Sequence, residues 1–283
     1  MAVVGRALGA LLAQLPHRRP LDSIQGMPEL PEVETLRRGL AGLLPGRVVR
    51  GAELGLPKLL AAAPPDGLAV LVGRPVEGVE RHGKLLGLRC GPWTLLLHLR
   101  LTGQLVFVDG GTRFAGGHPV PPFDAPLPGR MTHLALAFDR GALYLNDQRQ
   151  FARARLLPAA EAAAFVDAQA LGPSPLDADL TPQRLAERLA RHARLPLKGA
   201  LLDQRTVAGL GNIYADESLF LAGLHPARRA GALGSAEGAR LLGAMRRALA
   251  VALERGGAVV INGRAVPLPG KDFLLVHGRA GQP

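Results

Sequence analysis

The hydrophobic pattern of this 283-residue chain changes near residue 150. Before that point, short apolar and β-branched segments alternate with Gly and Pro, which is typical of strands joined by turns. After it, apolar residues recur at the spacing of helices. A run of strands followed by a run of helices predicts the α+β class. We therefore predict an antiparallel β-sandwich with an N-terminal helix, followed by a helical domain.

The same pattern places the domain boundaries. We predict a sandwich domain at 27–157, a linker region at 158–180 and a helical domain at 181–283. The linker contains Leu-Gly-Pro-Ser-Pro at 171–175, a composition that is frequent between domains. Residues 1–26 are predicted to be an extension outside the native fold.

The predicted elements follow the period of the apolar residues along the chain. Strands are predicted at Val48–Leu54, Leu68–Val72, Val76–Glu80, Lys84–Cys90, Trp93–Leu101, Gln104–Val108, Leu134–Phe138 and Ala142–Leu145. Helices are predicted at Pro31–Leu44, Ala159–Ala170, Pro182–Ala193, Leu197–Gln204, Asn212–Ala222 and Ser235–Arg255. The Gly- and Pro-rich segment Gly110–Gly129 is predicted to be a surface loop.

The stretch Met27–Thr35 reads Met-Pro-Glu-Leu-Pro-Glu-Val-Glu-Thr. Removal of Met27 would leave Pro28 with a free amine, and α-amino groups titrate at roughly 7.7–8.0. A neutral amine can attack an aldehydic sugar carbon to form a Schiff base, and Glu29 can move protons for it. The alternative is an ordinary amphipathic helix, because Pro and acidic residues both favour a first helical turn.

Residues 1–26 bear directly on this chemistry. An apolar run from Ala2 to Leu15 precedes a basic cluster, which reverses the order found in signal peptides. We interpret these residues as the product of an upstream start codon, with Met27 as the true initiator. If they stay attached, Pro28 has no free amine.

Charge favours an anionic partner, nucleic acid above all, because the formal net charge is +11. Residues 181–283 carry 15 Lys and Arg against 7 Asp and Glu, so the excess is concentrated there. Cys90 is the only cysteine, which excludes a disulfide within the chain and a thiolate zinc cluster. No apolar run is long enough for a transmembrane helix. We expect a cytoplasmic, nucleoid-associated monomer without a membrane partner.

A second motif, Arg205–Glu217, reads Arg-Thr-Val-Ala-Gly-Leu-Gly-Asn-Ile-Tyr-Ala-Asp-Glu. Its glycines allow a tight turn and close approach of the backbone to a ligand. Asn212 suits a helix N-cap, and the free N–H groups of such a helix start can bind phosphate. Lys198 can supply a positive charge to the same group. The alternative is a helix–turn–helix corner without a ligand.

A third motif, Asn146–Phe151, follows the hairpin turn at Asp139–Gly141. Phe151 can wedge between bases while Arg149 pairs with an exposed base. On the sequence alone, a partly buried Phe beside a solvated Arg is the favoured interpretation.

These three motifs together resemble the formamidopyrimidine-DNA glycosylases, bifunctional enzymes that remove oxidised purines from DNA. Met27–Thr35 resembles the N-terminus of that family, and Arg205–Glu217 with Lys198 resembles its helix–two-turns–helix. Asn146–Phe151 resembles its Asp-Pro-Arg-Arg-Phe motif, with Gln148 and Gln150 as departures. The resemblance covers about residues 27–283.

The resemblance implies a role for each matching residue. Pro28 would be the nucleophile, Glu29 the proton donor, and Glu32 a residue that holds the N-terminus. Lys84, at the end of Arg-His-Gly-Lys, would contact the phosphate beside the lesion, although it also reads as an exposed lysine at a strand end. Lys198 would bind DNA phosphate as well.

The remaining roles concern the flipped base. Arg149 would face the orphaned cytosine, Phe151 would wedge the stack, and Asn212 would bind DNA at the helix start. Leu101 stands where the family has a methionine in His-Leu-Gly-Met-Ser-Gly, and it would fill the hole left by the base. A core position in a sheet is the alternative for Leu101.

The family also implies a C-terminal four-cysteine zinc finger, which this sequence lacks after Gly278-Arg279. We therefore expect no metal or other cofactor bound by this chain. The resemblance further implies that Gly257–Lys271 forms the loop over the extruded base.

The function implied is a base-excision repair glycosylase and abasic-site lyase. It would act on 8-oxoguanine and formamidopyrimidines in damaged duplex DNA through a Schiff base at Pro28, followed by β,δ-elimination. Two alternatives remain: a relative of endonuclease VIII that removes oxidised pyrimidines, and a duplex-DNA-binding protein without catalytic activity.

Overall fold

The computed structural model describes residues 27–255, 259–261, 264–266 and 274–276. The predicted extension at 1–26 and the tail from residue 277 onward lie outside these residues. So does most of the loop predicted at Gly257–Lys271.

Most strands precede most helices, as the sequence pattern predicts, but two short strands follow the helix that ends at Arg255. The helices are α1 (Leu30–Leu43), α2 (Ala159–Ala168), α3 (Pro182–Ala190), α4 (Leu197–Leu202), α5 (Asn212–Ala222) and α6 (Ser235–Arg255). The strands are β1 (Val49–Leu54), β2 (Leu60–Ala62), β3 (Gly78–His82), β4 (Leu85–Cys90), β5 (Trp93–His98), β6 (Gly103–Asp109), β7 (Thr112–Gly117), β8 (Thr132–Phe138), β9 (Ala142–Asp147), β10 (Arg153–Pro158), β11 (Val259–Ile261) and β12 (Arg264–Val266).

The strands form two sheets, which confirms the α+β class and the predicted sandwich. One sheet has the order β1-β8-β9-β6-β7-β11-β12, and the other has the order β2-β10-β5-β4-β3. Among the described strands, β10 pairs with β2 in parallel and the other pairings are antiparallel. The short strands β11 and β12 extend the first sheet through β7, although they follow the last helix in the chain.

Helix α1 joins the two hydrophobic cores of the molecule. Its residues Val33, Leu36 and Leu40 are buried in the sandwich core, as their helical spacing predicts. Leu30, at the first turn, belongs instead to the second core, which is built from α3, α4, α5 and α6. A single helix therefore fixes the segment around Leu30 between the sandwich and the helical bundle.

A glycine sets the approach of α1 to the sandwich. A Cβ added at Gly39 would lie 2.1 Å from Cζ of Phe114 on β7, so no larger residue fits there without displacing the ring. The ring packs directly on the helix backbone. Close packing of this kind holds α1 in one orientation.

Several sequence predictions are wrong in detail. Leu68–Val72 is not a strand, because Gly67–Leu71 forms a 3-10 helix that begins at Gly67 with a φ of +56°. The predicted loop Gly110–Gly129 contains β7, which pairs with β6 across a two-residue turn at Gly110 and Gly111. A Gly-Gly turn suits a tight hairpin, since both residues tolerate positive φ.

Five of the described strands were missed, and several elements end earlier than predicted. The missed strands are β2, β7, β10, β11 and β12. Strand β5 ends at His98 rather than Leu101, because Arg100 adopts a φ of +54° in the following turn. Helix α3 ends at Ala190 rather than Ala193, since the next residues turn back and the Gly231 N–H donates to the Ala193 carbonyl. Within the described ranges, no helix is long and apolar enough to cross a membrane.

Candidate active site

The site is organised around the Glu29 side chain, which connects the start of α1 to the start of α5. Its carboxylate accepts hydrogen bonds from the backbone N–H groups of Gly211 (2.8 Å), Ile213 (3.0 Å) and Tyr214 (3.3 Å). Glu29 is 2% exposed. A buried carboxylate at a helix N-terminus is stabilised by these donors and by the helix dipole. Glu29 therefore caps a helix that lies 182 residues further along the chain.

Two glycines make this contact possible. A Cβ at Gly211 would lie 2.3 Å from both Cδ and Oε1 of Glu29, and a Cβ at Gly209 would lie 2.7 Å from Cδ1 of Leu30. Gly209 also has a φ of +95°, which larger residues avoid. Its carbonyl accepts a hydrogen bond from the Leu30 N–H at 3.0 Å. The Gly-Leu-Gly turn is thus shaped to receive the N-terminal segment.

Glu32 holds the same segment from the other side. Its Oε2 accepts the Glu29 backbone N–H at 3.0 Å, and its Oε1 accepts the Tyr214 hydroxyl at 3.0 Å. Burial raises the pKa of Tyr214 well above its ordinary value, and the Glu32 and Glu29 charges act in the same direction. The hydroxyl therefore remains a donor at physiological pH. Pro28, which directly precedes Glu29, is buried.

Lys84 lies close enough to both carboxylates to interact with them electrostatically. Burial lowers the pKa of Lys84, whereas the charges of Glu29 and Glu32 oppose that shift. Burial raises the pKa of Glu29, and the Lys84 charge is the main opposing influence. The structure therefore brings together four predicted residues, Pro28, Glu29, Glu32 and Lys84, in one partly desolvated cluster.

The predicted role of Asn212 as helix N-cap is wrong. The cap position of α5 is Gly211, and Asn212 is the first helical residue, with its side chain exposed. The Glu29 carboxylate occupies the N–H groups of Gly211, Ile213 and Tyr214, which the sequence reasoning had left free for a phosphate. Among the described residues, the Asn212 amide donates to no acceptor, so the backbone N–H and the side chain of Asn212 are what this helix start can offer a ligand.

Lys198 is placed on α4, and its ammonium donates to Oδ2 of Asp216 at 2.8 Å. Its side chain remains 32% exposed. An ammonium has three N–H donors, so this ion pair leaves donors for a further acceptor.

Arg149 and Phe151 form a pair on the loop that follows β9. The guanidinium carbon of Arg149 lies 4.7 Å from the centroid of the Phe151 ring, a cation–π distance. Arg149 is exposed and Phe151 is 42% exposed. A large aromatic side chain with this exposure contributes little to the core and is available to a ligand.

The side chain of Asp147 organises that loop. Its Oδ1 accepts the Arg149 N–H at 3.2 Å and also accepts the Thr102 hydroxyl, and its Oδ2 accepts the Ala152 N–H at 2.6 Å. The Thr102 hydroxyl in turn accepts the Arg149 N–H at 3.2 Å. Because Leu101 precedes Thr102, the structure brings Leu101 next to the Arg149 loop. Leu101 is half-buried in a turn rather than in the sandwich core.

His98 lies between these two groups. It pairs opposite Leu85, the residue after Lys84, and its Nδ1 accepts the Arg100 N–H at 3.0 Å. Burial, followed by the charges of Arg100 and Lys84, lowers the pKa of His98 to about 4. The ring is therefore neutral, with its proton on Nε2 as a donor. The cluster around Glu29 and the loop around Arg149 are thus connected through one strand end.

Sequence reasoning gave no role to His98, Asp147 or Tyr214. Asp147 had a local signal, because an Asp at the start of a turn commonly accepts backbone N–H bonds. The Tyr214 bond to Glu32 had no local signal, since the two residues are 182 positions apart.

The described residues contain no cluster of thiolates that could hold zinc. Cys90 is the only cysteine, and it is fully buried in the sandwich core. Burial raises the pKa of its thiol to about 11. Within the part of the chain that the structure describes, no group of three His, Cys, Asp or Glu residues can hold a metal ion.

Two family models match the chain. The formamidopyrimidine-DNA glycosylase N-terminal domain matches residues 27–154, and the formamidopyrimidine-DNA glycosylase H2TH domain (helix–two-turns–helix) matches residues 171–262. The first contains Pro28, Glu29 and Lys84, and the second contains Lys198 and Asn212.

Similar proteins share most of this length. The chain is 41% identical over 263 residues to a formamidopyrimidine-DNA glycosylase of Chloroflexus aurantiacus, covering 91% of this chain and 88% of that protein. It is 43% identical over 265 residues to one of Symbiobacterium thermophilum, covering 91% and 81%. A solved structure of the Lactococcus lactis protein with abasic-site DNA superposes with a TM-score of 0.75 at 29% identity, covering 89% of this chain and 88% of that one.

Proposed function

The chain belongs to the formamidopyrimidine-DNA glycosylase family and is a glycosylase of base-excision DNA repair; we propose that it removes oxidised purines and then cleaves the abasic site as a lyase. One observation carries the proposal. Pro28 is buried directly before Glu29, the residue that the start of α5 holds by three backbone N–H groups. An amine at that position would be fixed between Glu29 and Lys84.

In the first step, the Pro28 nitrogen attacks C1′ of the damaged nucleoside. The bond from C1′ to the base breaks, the base leaves with the bonding electrons, and the proton that the Pro28 nitrogen gives up on bonding to C1′ balances the proton that the base takes up. The sugar ring then opens at C1′–O4′, O4′ takes a proton, and the nitrogen lone pair forms the iminium with C1′.

Glu29 supplies the proton to O4′ in this scheme. Burial raises its pKa, which favours a carboxyl group that carries a proton closer to neutral pH. The Glu29 side chain also accepts the Glu32 backbone N–H in the capping box of α1. The proposed proton donor is therefore a carboxyl group that α1 and α5 both hold in place.

The lyase step uses the iminium as an electron sink. Loss of a C2′ proton expels the 3′ phosphate, and loss of a C4′ proton then expels the 5′ phosphate. Water hydrolyses the remaining imine and restores the amine. Lys84 holds the phosphate next to the lesion, and the Glu29 and Glu32 charges favour its charged form in a partly buried position.

The partner is damaged duplex DNA, held first through its phosphates by the basic surface of the chain. Lys198 and Asn212 lie at the helix–two-turns–helix and bind the backbone. Arg149, Phe151 and Leu101 form one neighbouring group that replaces the flipped base, with Arg149 facing the orphaned cytosine. We propose that the enzyme acts as a monomer in the cytoplasm, at the nucleoid.

The scheme requires a free amine on Pro28. A chain that retains residues 1–26 has a peptide bond at that nitrogen and cannot form the iminium. The active form in this proposal therefore begins at Pro28, after initiation at Met27 and removal of the methionine.

A second substrate class has a specific observation in its favour. A solved structure of the Lactococcus lactis protein, with a TM-score of 0.75 and 29% identity, holds DNA that contains an oxidised pyrimidine. We therefore include an oxidised pyrimidine in the test below.

The test uses the chain that begins at Pro28, mixed in excess with end-labelled duplexes carrying 8-oxoguanine, formamidopyrimidine or thymine glycol. We expect excision of the two purine lesions to be faster than that of thymine glycol, and cleavage to leave phosphate at both ends of the gap. Lys84→Ala should slow excision, whereas Lys58→Ala, which removes an exposed lysine, should not. Salt-sensitive duplex binding without any excision or cleavage would contradict the proposal and favour a DNA-binding protein.

A further inference from the structure

The two halves of the site come from different elements. Pro28, Glu29 and Glu32 belong to the start of α1, whereas Lys84 belongs to the turn between β3 and β4. Lys84 can contact a phosphate while the Pro28 amine contacts the sugar only if the distance between Lys84 and Pro28 is fixed. A side chain must therefore hold the turn of Lys84 in position relative to α1. Positioning matters at this level because a displacement of about 1 Å can cost about 10²-fold in rate.

Arg81 makes the connection. Its Nε donates to Oε2 of Glu34 on α1 at 2.8 Å, and its Nη1 donates to the carbonyl of Gly83 at 3.0 Å. Gly83 directly precedes Lys84. One guanidinium therefore links the second turn of the helix that carries Glu29 to the residue before Lys84.

The bridge is buried and firmly held. The side chains of Arg81 and Glu34 are 11% and 8% exposed. Arg37 and Arg38 also donate to Glu34, at 2.8 Å each. Burial by itself would raise the pKa of Glu34, but its bonds to Arg37, Arg81 and Arg38 lower that pKa to about 2. Glu34 is therefore ionised at neutral pH.

The opposite side of the Lys84 turn is packed against the second half of the chain. Gly83 has a φ of +58°, and a Cβ built there would lie 3.4 Å from Cδ1 of Leu171 and 3.6 Å from Cβ of Ala208. The turn is thus confined between the Arg81 bridge and the Leu171 and Ala208 side chains. A buried ion pair is weak evidence for stability as such, since its desolvation offsets its attraction.

We propose that Arg81 is a positioning residue for Lys84, which it holds in register with the N-terminal amine through the Glu34–Arg81–Gly83 bridge. The inference rests on the proposed function, because that function assigns Lys84 to the phosphate beside the lesion. Arg81 itself contacts neither substrate nor the reacting atoms.

A double-mutant cycle tests the inference on the chain that begins at Pro28. Single-turnover excision of 8-oxoguanine is measured for the parent, Arg81→Ala, Lys84→Ala and the double variant. We expect Arg81→Ala to slow excision about tenfold to a hundredfold in the parent. In the Lys84→Ala background the same change should alter the rate by less than about twofold, because there is no ammonium left to misplace.

Two further variants separate positioning from folding. Arg81→Lys keeps the charge beside Glu34, but one ammonium cannot reproduce both guanidinium bonds. We expect Arg81→Lys to restore the melting temperature of the parent but not its excision rate. If Arg81→Ala does not fold, a double-mutant cycle of Arg81→Lys with Lys84→Ala provides the test instead. Arg38→Ala is the matched control: it removes another guanidinium from Glu34, is 58% exposed, and should leave the rate unchanged.

The outcomes are distinct. Equal slowing by the Arg81 change with and without Lys84 would overturn the inference, as would an Arg38→Ala effect as large as that of Arg81→Ala. A parent chain that binds the duplex and excises nothing would instead overturn the proposed function on which the inference rests.

Discussion

The carboxylate of Glu29 accepts the backbone N–H of Gly211 at 2.8 Å, although 182 residues separate them in the chain. This bond and its two neighbours place the residue after Pro28 at the N-terminus of α5. One of the contacts between α1 and the helical bundle therefore also fixes the N-terminal segment. Changes to this junction should affect stability and activity together.

Gly211→Ala tests how closely the Glu29 carboxylate packs against the backbone at Gly211. The new methyl would lie 2.3 Å from Oε1 of Glu29, so the carboxylate must move. We expect a loss of about 1–3 kcal/mol in the free energy of unfolding, measured in urea, and a loss of excision. Gly243→Ala is the control, because a methyl there meets no atom within 4 Å and should raise stability by about 0.5–1 kcal/mol. Normal stability and activity in Gly211→Ala would contradict the geometry.

Tyr214→Phe tests the hydrogen bond between the Tyr214 hydroxyl and Glu32, which also holds the N-terminal segment. It removes the hydroxyl that donates to Oε1 of Glu32 at 3.0 Å and keeps the ring that fills the core. We expect a loss of about 1.5–3 kcal/mol in the free energy of unfolding, since the acceptor is charged. The other tyrosine, Tyr144, bonds to neither Glu29 nor Glu32, so Tyr144→Phe should cost at most about 0.5 kcal/mol. An equal loss of unfolding free energy in the two variants would contradict a stabilising role for the Tyr214–Glu32 hydrogen bond.

Glu34→Gln tests the buried carboxylate on α1 through its pH dependence. The folded pKa of about 2 lies below the ordinary value of 4.5, so the carboxylate stabilises the fold fully above 4.5 and loses that contribution as pH falls toward 2. The variant should therefore be less stable by about 3 kcal/mol at pH 7. The difference should shrink between pH 4.5 and pH 2.

Urea unfolding of both proteins across that range provides the measurement. Glu80→Gln is the control, because Glu80 pairs with Arg89 while 46% exposed and should change stability little at any pH. A stability gap for Glu34→Gln that does not vary with pH would show that the carboxylate charge is not what stabilises the helix.

Asp147→Asn tests the loop that presents Arg149 and Phe151. One carboxylate oxygen becomes an NH₂ group that faces a donor, either the Ala152 N–H or the Arg149 N–H. We expect a loss of about 1–3 kcal/mol in the free energy of unfolding and slower base excision. Asp179→Asn, at a position that is 66% exposed, should change neither. Full excision by Asp147→Asn would separate this loop from the reaction.

Sequence patterns predicted elements where the local signal and the fold agree. Helix α5 was predicted with its observed bounds, because its apolar spacing and the Gly223 stop are both local. Strand β7 was missed, since Thr-Arg-Phe-Ala-Gly-Gly is rich in small residues and becomes a strand only through its pairing with β6. The local sequence of a segment does not determine which strand it pairs with.

The sequence predicted which residues belong to the site, but it did not predict which of them contact each other. The motif around Pro28 and the Gly-Leu-Gly turn both stood out, and the structure joins them. Asn212 was assigned as the cap because Asn is favoured there locally. The carboxylate that caps α5 belongs to Glu29, and the sequence near Asn212 contains no signal that predicts this contact.

The most direct test of the Schiff-base mechanism is borohydride trapping on an 8-oxoguanine·cytosine duplex. Two purified proteins are compared, one beginning at Pro28 and one with residues 1–26 still attached, each verified by mass spectrometry. We expect a covalent protein–DNA band only from the chain that begins at Pro28, with the DNA adduct mapped to its N-terminal peptide. A band of equal strength from the extended protein, or an adduct mapped to Lys84, would contradict Pro28 as the nucleophile.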